Sequence, residues 1–468
     1  MYKSYLLAAV LLLLGAVKAQ ADVIGLKTSK TAGTEMTLAL NADVTATLTW
    51  SNGESESITF DGFPMTVTVK SDSLTITSTS GTITRLYVPN AGLVSLNTKG
   101  ATSLTKLYCP DNELTSLTLS SNKALTDIDC QNNKLSTLTL TNCRSIQNLN
   151  IAGNKLTTAP YITAAPLTML VCADNQIDTL RYMTSLSKLE VLICQNNALR
   201  TLNLRNAKQL RRLVASSNDL TTLTMAAMPA LTDVWVENNN LTSIDLSAGS
   251  GKLAALSADH NNLTSILWDN SCKNTLTQFY GNDNTLFFNS FPTRSSKLTA
   301  TYMPQNPYPL LTSANINETV YIASTLTKNG FGATQTRNYT LVDEAGYTLE
   351  RGQGKDYYYN TSGWTFYTGH KNVVMTVTAN LYPDVTLTTQ PFDIIDPTGI
   401  STVKADANGL TISAAAGTLN VSTPTATTVH VYTLEGRNVV NATIGAGTHS
   451  WSLPAGVYIV NKHKVIVP

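Results

Sequence analysis

The stretch "ALTDIDCQNNKLSTLTL", from Ala124 to Leu140, places a cysteine, Cys130, and an asparagine, Asn133, within a series of regularly spaced leucines. The same spacing, roughly L-x-x-L-x-C/V/A-x-x-N-x-L-x-x-L-x-L, recurs in steps of 21 residues, lengthened to 22 or 23 at three joints. Such a period indicates a solenoid, because one coil cannot bury its own leucines and stacked coils share a core. Ten units are predicted, beginning at Ile83, Leu104, Leu125, Ile146, Leu167, Leu189, Leu210, Leu231, Leu253 and Leu276.

The asparagine keeps its register from unit to unit. We expect it to turn inward where the chain leaves a strand, so that its amide bonds backbone groups that the turn leaves unpaired. The column is therefore interpreted as structural; its members are Asn112, Asn133, Asn154, Asn175, Asn197, Asn218, Asn239, Asn261 and Asn284.

Four units place a cysteine five residues after their first leucine. Other units have valine, isoleucine or alanine there, which predicts a small inward position where a thiol packs as an apolar group. Disulfides between stacked neighbours are the alternative, but parallel side chains in register suit the S–S dihedral poorly. The four are Cys109, Cys130, Cys172 and Cys194; Cys143 and Cys272 are predicted to lie in return segments, too far apart to pair.

These motifs resemble the leucine-rich repeat family, and the partial cysteine column resembles the internalin J-like proteins of bacterial surfaces. The resemblance covers residues 83–290 and departs from the pattern at the units beginning with Ile146, Leu210, Leu231, Leu253 and Leu276, which lack the cysteine. It implies a surface protein engaged in adhesion or biofilm formation.

The first 21 residues, "MYKSYLLAAVLLLLGAVKAQA", combine Lys3, a short apolar core and the small-residue site Ala19-Gln20-Ala21. This arrangement predicts a secretory signal peptide, with the mature protein beginning near Asp22. No later segment is long and apolar enough to predict a membrane span in the mature protein.

Alternating apolar and polar residues predict β-structure on both sides of the repeat, so the whole chain is expected to be mainly β. An N-terminal β cap would cover the first coil of the solenoid. After the repeat we expect a closing segment, an immunoglobulin-like β-sandwich with Trp364 in its core, a linker and a small C-terminal β-sandwich. The predicted ranges are 22–82 for the cap, 291–310 for the closing segment, 311–395 for the immunoglobulin-like sandwich, 396–406 for the linker and 407–468 for the C-terminal sandwich.

The last module resembles the C-terminal sorting domain of the type IX secretion system of Bacteroidetes. The matching segments are Val429–Tyr432 with Gly436, Leu453–Val460 and Lys464–Val467. The resemblance implies contact with the outer-membrane secretion machinery and a location at the outer face of the outer membrane or outside the cell. Whether this domain is cleaved, and how the protein is anchored, stays open.

Composition and motifs point away from several functional classes. The formal net charge is +1 and only 13% of residues are charged, so no broad basic face for nucleic acid is expected. No motif of a nucleotide, zinc or hydrolase site occurs, and no cofactor or metal is predicted. Two weak catalytic hypotheses are a Cys272–His260 pair and a glycosidase using Asp127 and Asp129, predicted to be roughly 7 Å apart on one face of a strand.

The residue before the inward cysteine position should face the concave, solvent side of the solenoid. Four successive units carry Val171, Ile193, Val214 and Trp235 there, where polar residues are the default. An exposed apolar strip of this kind is typical of protein-binding surfaces. The predicted binding residues are Tyr87, Tyr108, Met169, Val171, Val191, Ile193, Val214, Trp235 and Tyr280, with Gln195, Arg212, Asp233 and Glu237 as a polar rim.

The strip could also arise simply because β-branched residues suit strands, or because another part of the chain covers it. We predict a non-catalytic adhesin that binds a host or bacterial surface protein. Carbohydrate binding by the aromatic residues is the alternative, and glycoside hydrolysis is a remote one. The sequence does not identify the ligand or the oligomeric state.

Overall fold

A computed structural model describes residues 21–162, 165–181, 186–321, 331–333, 335–360, 363–396, 409–415 and 417–467. The predicted signal peptide, apart from its last residue, and almost all of the predicted linker lie outside these residues. The chain divides into two compact units, one of residues 1–308, 325–338 and 378–387, the other of residues 309–324, 339–377 and 388–468. Among the described residues, no helix has the length and apolarity needed to cross a bilayer.

The first unit begins with an antiparallel β-structure whose strands alternate buried and exposed side chains. Its strands are β1 (Val23–Thr28), β2 (Glu35–Leu40), β3 (Val44–Trp50), β4 (Ser55–Phe60), β5 (Met65–Thr68) and β6 (Ser73–Ser80). The β3–β4 turn uses Gly53 at φ 89°, a conformation that glycine adopts without strain.

The repeat region consists almost entirely of three-residue strands. They are β7 (Arg85–Tyr87), β8 (Leu93–Asn97), β9 (Lys106–Tyr108), β10 (Ser116–Thr118), β11 (Asp127–Asp129), β12 (Thr137–Thr139), β13 (Asn148–Asn150), β14 (Met169–Val171), β15 (Val191–Ile193), β16 (Thr201–Asn203), β17 (Arg212–Val214), β18 (Thr222–Thr224), β19 (Asp233–Trp235), β20 (Ser243–Asp245), β21 (Ala255–Ser257), β22 (Ser265–Leu267), β23 (Gln278–Tyr280) and β24 (Thr299–Thr301). Short 3-10 helices lie at Asn270–Asn274 and Phe288–Ser290.

One sheet runs through the whole repeat, in the order β24-β23-β21-β19-β17-β15-β14-β13-β11-β9-β7-β2-β5 in the described part of the chain. Its strands from β7 to β24 are parallel and in register from coil to coil. On the return side of the coils, β10 pairs with β12, β16 with β18, and β20 with β22. This topology is a leucine-rich-repeat-like β-solenoid of about ten turns.

The N-terminal end of the solenoid merges with the antiparallel structure. Strand β2 pairs antiparallel with β7, so the first parallel strand has no open edge. On the other side of the coil, β8 joins the five-stranded sheet β4-β3-β6-β1-β8. The two parts therefore interpenetrate, rather than meeting at residue 82.

The C-terminal end extends one coil beyond the ten predicted units. Strand β24 pairs parallel with β23, and Gln305 takes the place of the column asparagine. Its Oε1 accepts a hydrogen bond from the Leu286 amide at 2.8 Å. A core of aromatic rings fills this end; it contains Phe279, Phe287, Phe288, Phe291, Tyr302 and Tyr382.

The rest of the described chain is also made of β-strands. The remaining strands of the chain are β25 (Ser313–Asn315), β26 (Thr319–Val320), β27 (Arg337–Val342), β28 (Tyr357–Asn360), β29 (Gly363–Phe366), β30 (His370–Ala379), β31 (Tyr382–Thr388), β32 (Phe392–Ile395), β33 (Thr411–Ala415), β34 (Thr418–Thr423), β35 (Thr427–Thr433), β36 (Asn438–Ile444), β37 (Gly447–Ser452), β38 (Gly456–Val460) and β39 (His463–Val467). Most of β31 and parts of β27 and β30 belong to the first unit, and the others belong to the second unit.

Trp364 is buried in this unit, 4.3 Å from the ring centroid of Tyr359. The last module packs the sheet β33-β34-β37 against the sheet β36-β35-β38-β39 around one apolar core. The immunoglobulin-like and sorting-domain assignments stay predictions.

Candidate ligand-binding face

The short strands create a regular outer surface on the long sheet. In the strands of this sheet from β7 to β23, the middle residue is buried in the core, as Leu170 and Leu192 are, and its two neighbours point to the opposite side. We call the surface formed by these first and third residues the outer sheet face. Because the strands are in register, equivalent side chains of successive coils form rows at intervals of about 4.8 Å.

The asparagine column holds this face in position from the inside. Asn133, only 7% exposed, accepts from the Leu114 amide of the preceding coil at 3.0 Å. Its Nδ2 donates to carbonyls of both coils, those of Cys109 and Cys130 at 3.0 and 3.1 Å. The same pattern recurs along the column, so each amide ties two coils together.

The six cysteines are free and buried. Burial raises the pKa of the Cys109 and Cys172 thiols to about 12, and that of Cys130 and Cys194 well above the ordinary value. Such thiols are poor nucleophiles. In the return segments, the Sγ atoms of Cys143 and Cys272 donate to carbonyls of the preceding coil.

The predicted apolar residues share one region of the outer sheet face. We call the set Met169, Val171, Val191, Ile193, Val214 and Trp235 the apolar strip. Five of them are half-buried and lie on the side of the sheet opposite to the core. The expectation that all of them are open to water is wrong for Val214, which is 9% exposed. Its row neighbours, Ile193 and Trp235, are larger and limit the access of solvent to it.

Polar atoms with unused hydrogen-bonding capacity occur beside the strip. Within the described residues, the buried Trp235 Nε1, Gln195 Oε1 and Glu237 Oε2 have no hydrogen-bond partner. Native proteins leave few such atoms unpaired, and a ligand or solvent molecule usually accounts for them. Gln195 and Glu237, predicted as rim residues, are therefore half-buried groups able to accept a hydrogen bond.

The tyrosines are divided between the two ends of the face. Tyr87 and Tyr108 are row neighbours, with ring centroids 6.5 Å apart and the planes at 65°. The Arg85 guanidinium lies 5.7 and 5.9 Å from these two centroids. Tyr280 is half-buried at the opposite end, beside Ser257 in its row. The three tyrosines therefore do not form one continuous surface with Trp235.

The two carboxylates of β11 are held by neutral donors. Asp127 accepts from Asn148 Nδ2 at 2.8 Å and from Thr126 Oγ1 at 2.6 Å. Asp129 accepts from the Gln131 amide at 3.1 Å, and burial raises the pKa of its carboxyl. A raised pKa is one property of a general acid, but both carboxylates lie on an open sheet face rather than in a cleft.

The imagined Cys272–His260 pair has other partners. His260 Nδ1 lies 2.8 Å from Asp259 and its Nε2 3.3 Å from Asp283, which raises the pKa of the imidazole. The thiol of Cys272 is buried, donates to the Ser250 carbonyl at 3.2 Å and has a pKa raised by burial to about 11. A thiol in this state is not an activated nucleophile.

Two cations of the outer sheet face were not among the predicted site residues. Arg85 and Lys106 are the first residues of β7 and β9 and lie side by side in register. With Tyr87 and Tyr108 they line an open cavity of about 410 Å³. The signal in the sequence was their position two residues before each tyrosine, which places all four side chains on the same side of the sheet.

No family model and no curated protein matches the sequence. Solved leucine-rich repeat structures are similar to it. YopM from Yersinia pestis, a leucine-rich effector, is 26% identical over 41% of this chain and 53% of its own, with a TM-score of 0.36. InlJ from Listeria monocytogenes, described as including a cysteine ladder, is 19% identical over 69% of this chain and 94% of its own, with a TM-score of 0.27.

The plant peptide hormone receptor RGFR1, solved in complex with RGF2, is 21% identical over 40% of this chain and 33% of its own, with a TM-score of 0.34. The chain thus spans about half the length of YopM and a third of that of RGFR1. These TM-scores are low, so the fold assignment rests on the strand register described above.

Proposed function

We propose that the protein is a non-catalytic adhesin that binds a protein ligand through the outer sheet face, the side expected to be concave. The observation that carries the proposal is the apolar strip. Four successive coils place Val171, Ile193, Val214 and Trp235 in one row on the side away from the core. Contiguous apolar side chains around a tryptophan are characteristic of the energetic centre of protein–protein interfaces.

The surroundings of the strip fit the same function. Arg212 is exposed at one side of it, and Asp233 is half-buried. A polar rim around an apolar centre is the usual anatomy of a protein interface. The unpaired atoms of Gln195, Trp235 and Glu237 add donor and acceptor capacity for polar groups of a partner.

The exported location and the role of the flanking modules belong to the same proposal. The signal peptide would take the chain through the inner membrane, and the last module would engage the outer-membrane secretion machinery. The solenoid would then be presented at the cell surface or released, where it would attach to a host or to neighbouring bacteria in a biofilm.

Carbohydrate binding remains the second candidate, favoured by the half-buried rings of Trp235 and Tyr280 on the outer sheet face. A glycan array distinguishes the two, because stacking on separate rings favours sugars, whereas a continuous aliphatic strip favours protein. Glycoside hydrolysis by Asp127 and Asp129 would require turnover on a panel of polysaccharides.

The central experiment compares Ile193→Asp with Thr201→Asp. Both introduce one carboxylate into the same coil, but Thr201 is exposed on the return side. Binding of the purified variants to extracellular-matrix proteins and to whole bacteria is measured after circular dichroism has shown that they are folded. We expect Ile193→Asp and Trp235→Ala to abolish binding and Thr201→Asp to retain it; unchanged binding by Ile193→Asp contradicts the proposal.

A further inference from the structure

We propose that Arg85, Lys106, Tyr87 and Tyr108 form a subsite for the carboxylates of an acidic segment in the protein ligand. We call these four residues the cationic subsite. The inference rests on the proposed function for the nature of the ligand, but the subsite and the apolar strip are separate surfaces. It adds a second chemical requirement: the partner carries acidic side chains as well as apolar ones.

Arg85 is already held in place before any ligand binds. Its guanidinium lies near both tyrosine rings, and its Nη1 donates to the Gly62 carbonyl at 3.1 Å. A guanidinium has five N–H donors, so donors remain for a ligand. Because the side chain is positioned by three contacts, a carboxylate would meet an ordered partner and lose less conformational freedom on binding.

The two cations of the subsite form no ion pair within the described part of the chain. The ion pairs found there include neither Arg85 nor Lys106. One coil further along, Asp127 and Asp129 are the row neighbours of Lys106 and Tyr108. Their carboxylates lie on the side of the subsite away from Arg85, so the carboxylate of a ligand is expected at the Arg85 side.

Ion pairs between side chains of neighbouring coils do occur within the repeat. On the neighbouring coils, Lys134 pairs with Glu113 at 2.9 Å. The exposed Lys106 lacks such a partner among the described residues, so two cations stand side by side around the cavity of about 410 Å³. Paired cations of this kind match a carboxylate, which the Arg fork can bind through two parallel hydrogen bonds.

The same geometry disfavours sugar stacking at this end of the sheet. Sugars stack on the open faces of aromatic rings, and the guanidinium of Arg85 already lies close to Tyr87 and Tyr108. Burial and the nearby Asp127 raise the pKa of the Tyr108 phenol, with Arg85 acting in the opposite direction. Tyr108 therefore stays a neutral hydroxyl donor, a further group suited to a carboxylate.

The distance to the apolar strip favours a polypeptide over an acidic polysaccharide. Tyr108 and Val171 are three row steps apart, which corresponds to about 14 Å. The coils between them carry Asp127 and Asp129, which would repel an acidic group placed further along the face. A single ligand that presents carboxylates to the cationic subsite and apolar groups to the apolar strip has the chemistry of a protein chain.

The test uses a fluorescein-labelled decaglutamate peptide and fluorescence anisotropy with the full chain at low ionic strength. Lys106→Glu is compared with Lys123→Glu, an identical change at an exposed lysine in a return segment. We expect Lys106→Glu and Arg85→Gln to weaken peptide binding at least tenfold and Lys123→Glu to stay within twofold of the unmodified protein. Binding should also weaken as salt is raised, because exposed charges are screened.

The same measurement is made with polygalacturonate, an acidic polysaccharide. Three outcomes would overturn the inference: the unmodified protein does not bind decaglutamate, Lys106→Glu and Lys123→Glu have equal effects, or Lys106→Glu loses binding of polygalacturonate but keeps binding of decaglutamate. The last result would indicate an acidic glycan. Decaglutamate lacks apolar side chains, so its binding reports on the cationic subsite alone, and Thr201→Asp, which adds one carboxylate on the return side, should leave it within twofold. Failure of the apolar strip and failure of the cationic subsite are thereby distinguished.

Discussion

Replacing Asn239 by alanine removes one connection of the asparagine column in the middle of the solenoid. Its Oδ1 is the acceptor for the amide of Leu220, a fully buried residue, at 2.9 Å. Its Nδ2 donates to the Ala215 and Val236 carbonyls, both at 3.0 Å. These two carbonyls also accept from Asn218 and Asn261, so they keep a partner in the variant.

The Leu220 amide is therefore the group left unpaired. An unsatisfied buried N–H costs about 1–3 kcal/mol, and the lost bonds to shared carbonyls add about 1 kcal/mol, which predicts a total destabilisation of about 2–4 kcal/mol. Asn240→Ala is the matched control, because Asn240 is exposed. Exposed substitutions usually change stability by less than about 0.5 kcal/mol.

The assay is urea unfolding followed by tryptophan fluorescence, together with hydrogen exchange of the peptide containing the Leu220 amide. Repeat proteins can unfold in parts, so the exchange measurement locates the effect. We expect Asn239→Ala to lower the unfolding midpoint and to speed exchange at Leu220, with little change for Asn240→Ala. Equal midpoints and equal exchange for the two variants would show that the column amide does not support the turn.

Three further predictions concern ionisable groups. Burial raises the pKa of Cys109 to about 12 and that of Cys130 well above its ordinary value, so iodoacetamide at pH 8 should label neither thiol until denaturant is added; labelling of the folded protein contradicts this. The hydrogen bond to Asp259 raises the pKa of His260, so the contribution of this pair to folding stability is present at acidic pH and is lost as pH rises through the raised pKa of the folded protein. An NMR titration of His260 should find a midpoint above 6.5, and Asp259→Asn should lower that midpoint. Because Asp129 lies on an open face, the protein and its Asp129→Asn variant should both release no reducing sugar from polysaccharides, and release that depends on Asp129 would support the glycosidase alternative.

The solenoid could be predicted from the sequence because the repeat is written in local spacing. An apolar residue, usually leucine, in the middle of each short strand and an asparagine at the turn recur at the same place in most coils, so the pattern identifies them without knowledge of distant contacts. Leu192 and Asn197, for example, occupy their positions for the same reasons as Leu213 and Asn218.

The ends of the solenoid were less accessible to such reasoning. Gln305 replaces asparagine in the last coil and reaches the Gly281 carbonyl at 2.7 Å, but a glutamine breaks the pattern. Strand β2 lies in the segment predicted to cap the first coil, and the sequence did not specify that it pairs with β7 through Ala39 and Leu40. Pairing between strands from different segments depends on hydrogen-bonding edges that a periodic pattern does not encode.

The amino-acid sequence alone predicted the β-solenoid, its inward asparagines and thiols, and the row that contains Val171, Ile193 and Trp235. The three-dimensional packing decided that Val214 is shielded by its larger row neighbours and that Arg85 lies against two tyrosines. The physical reason is that periodicity specifies which way a side chain points, whereas exposure and charge pairing depend on the size and polarity of neighbours that lie about 21 residues away in the chain and about 4.8 Å away in space.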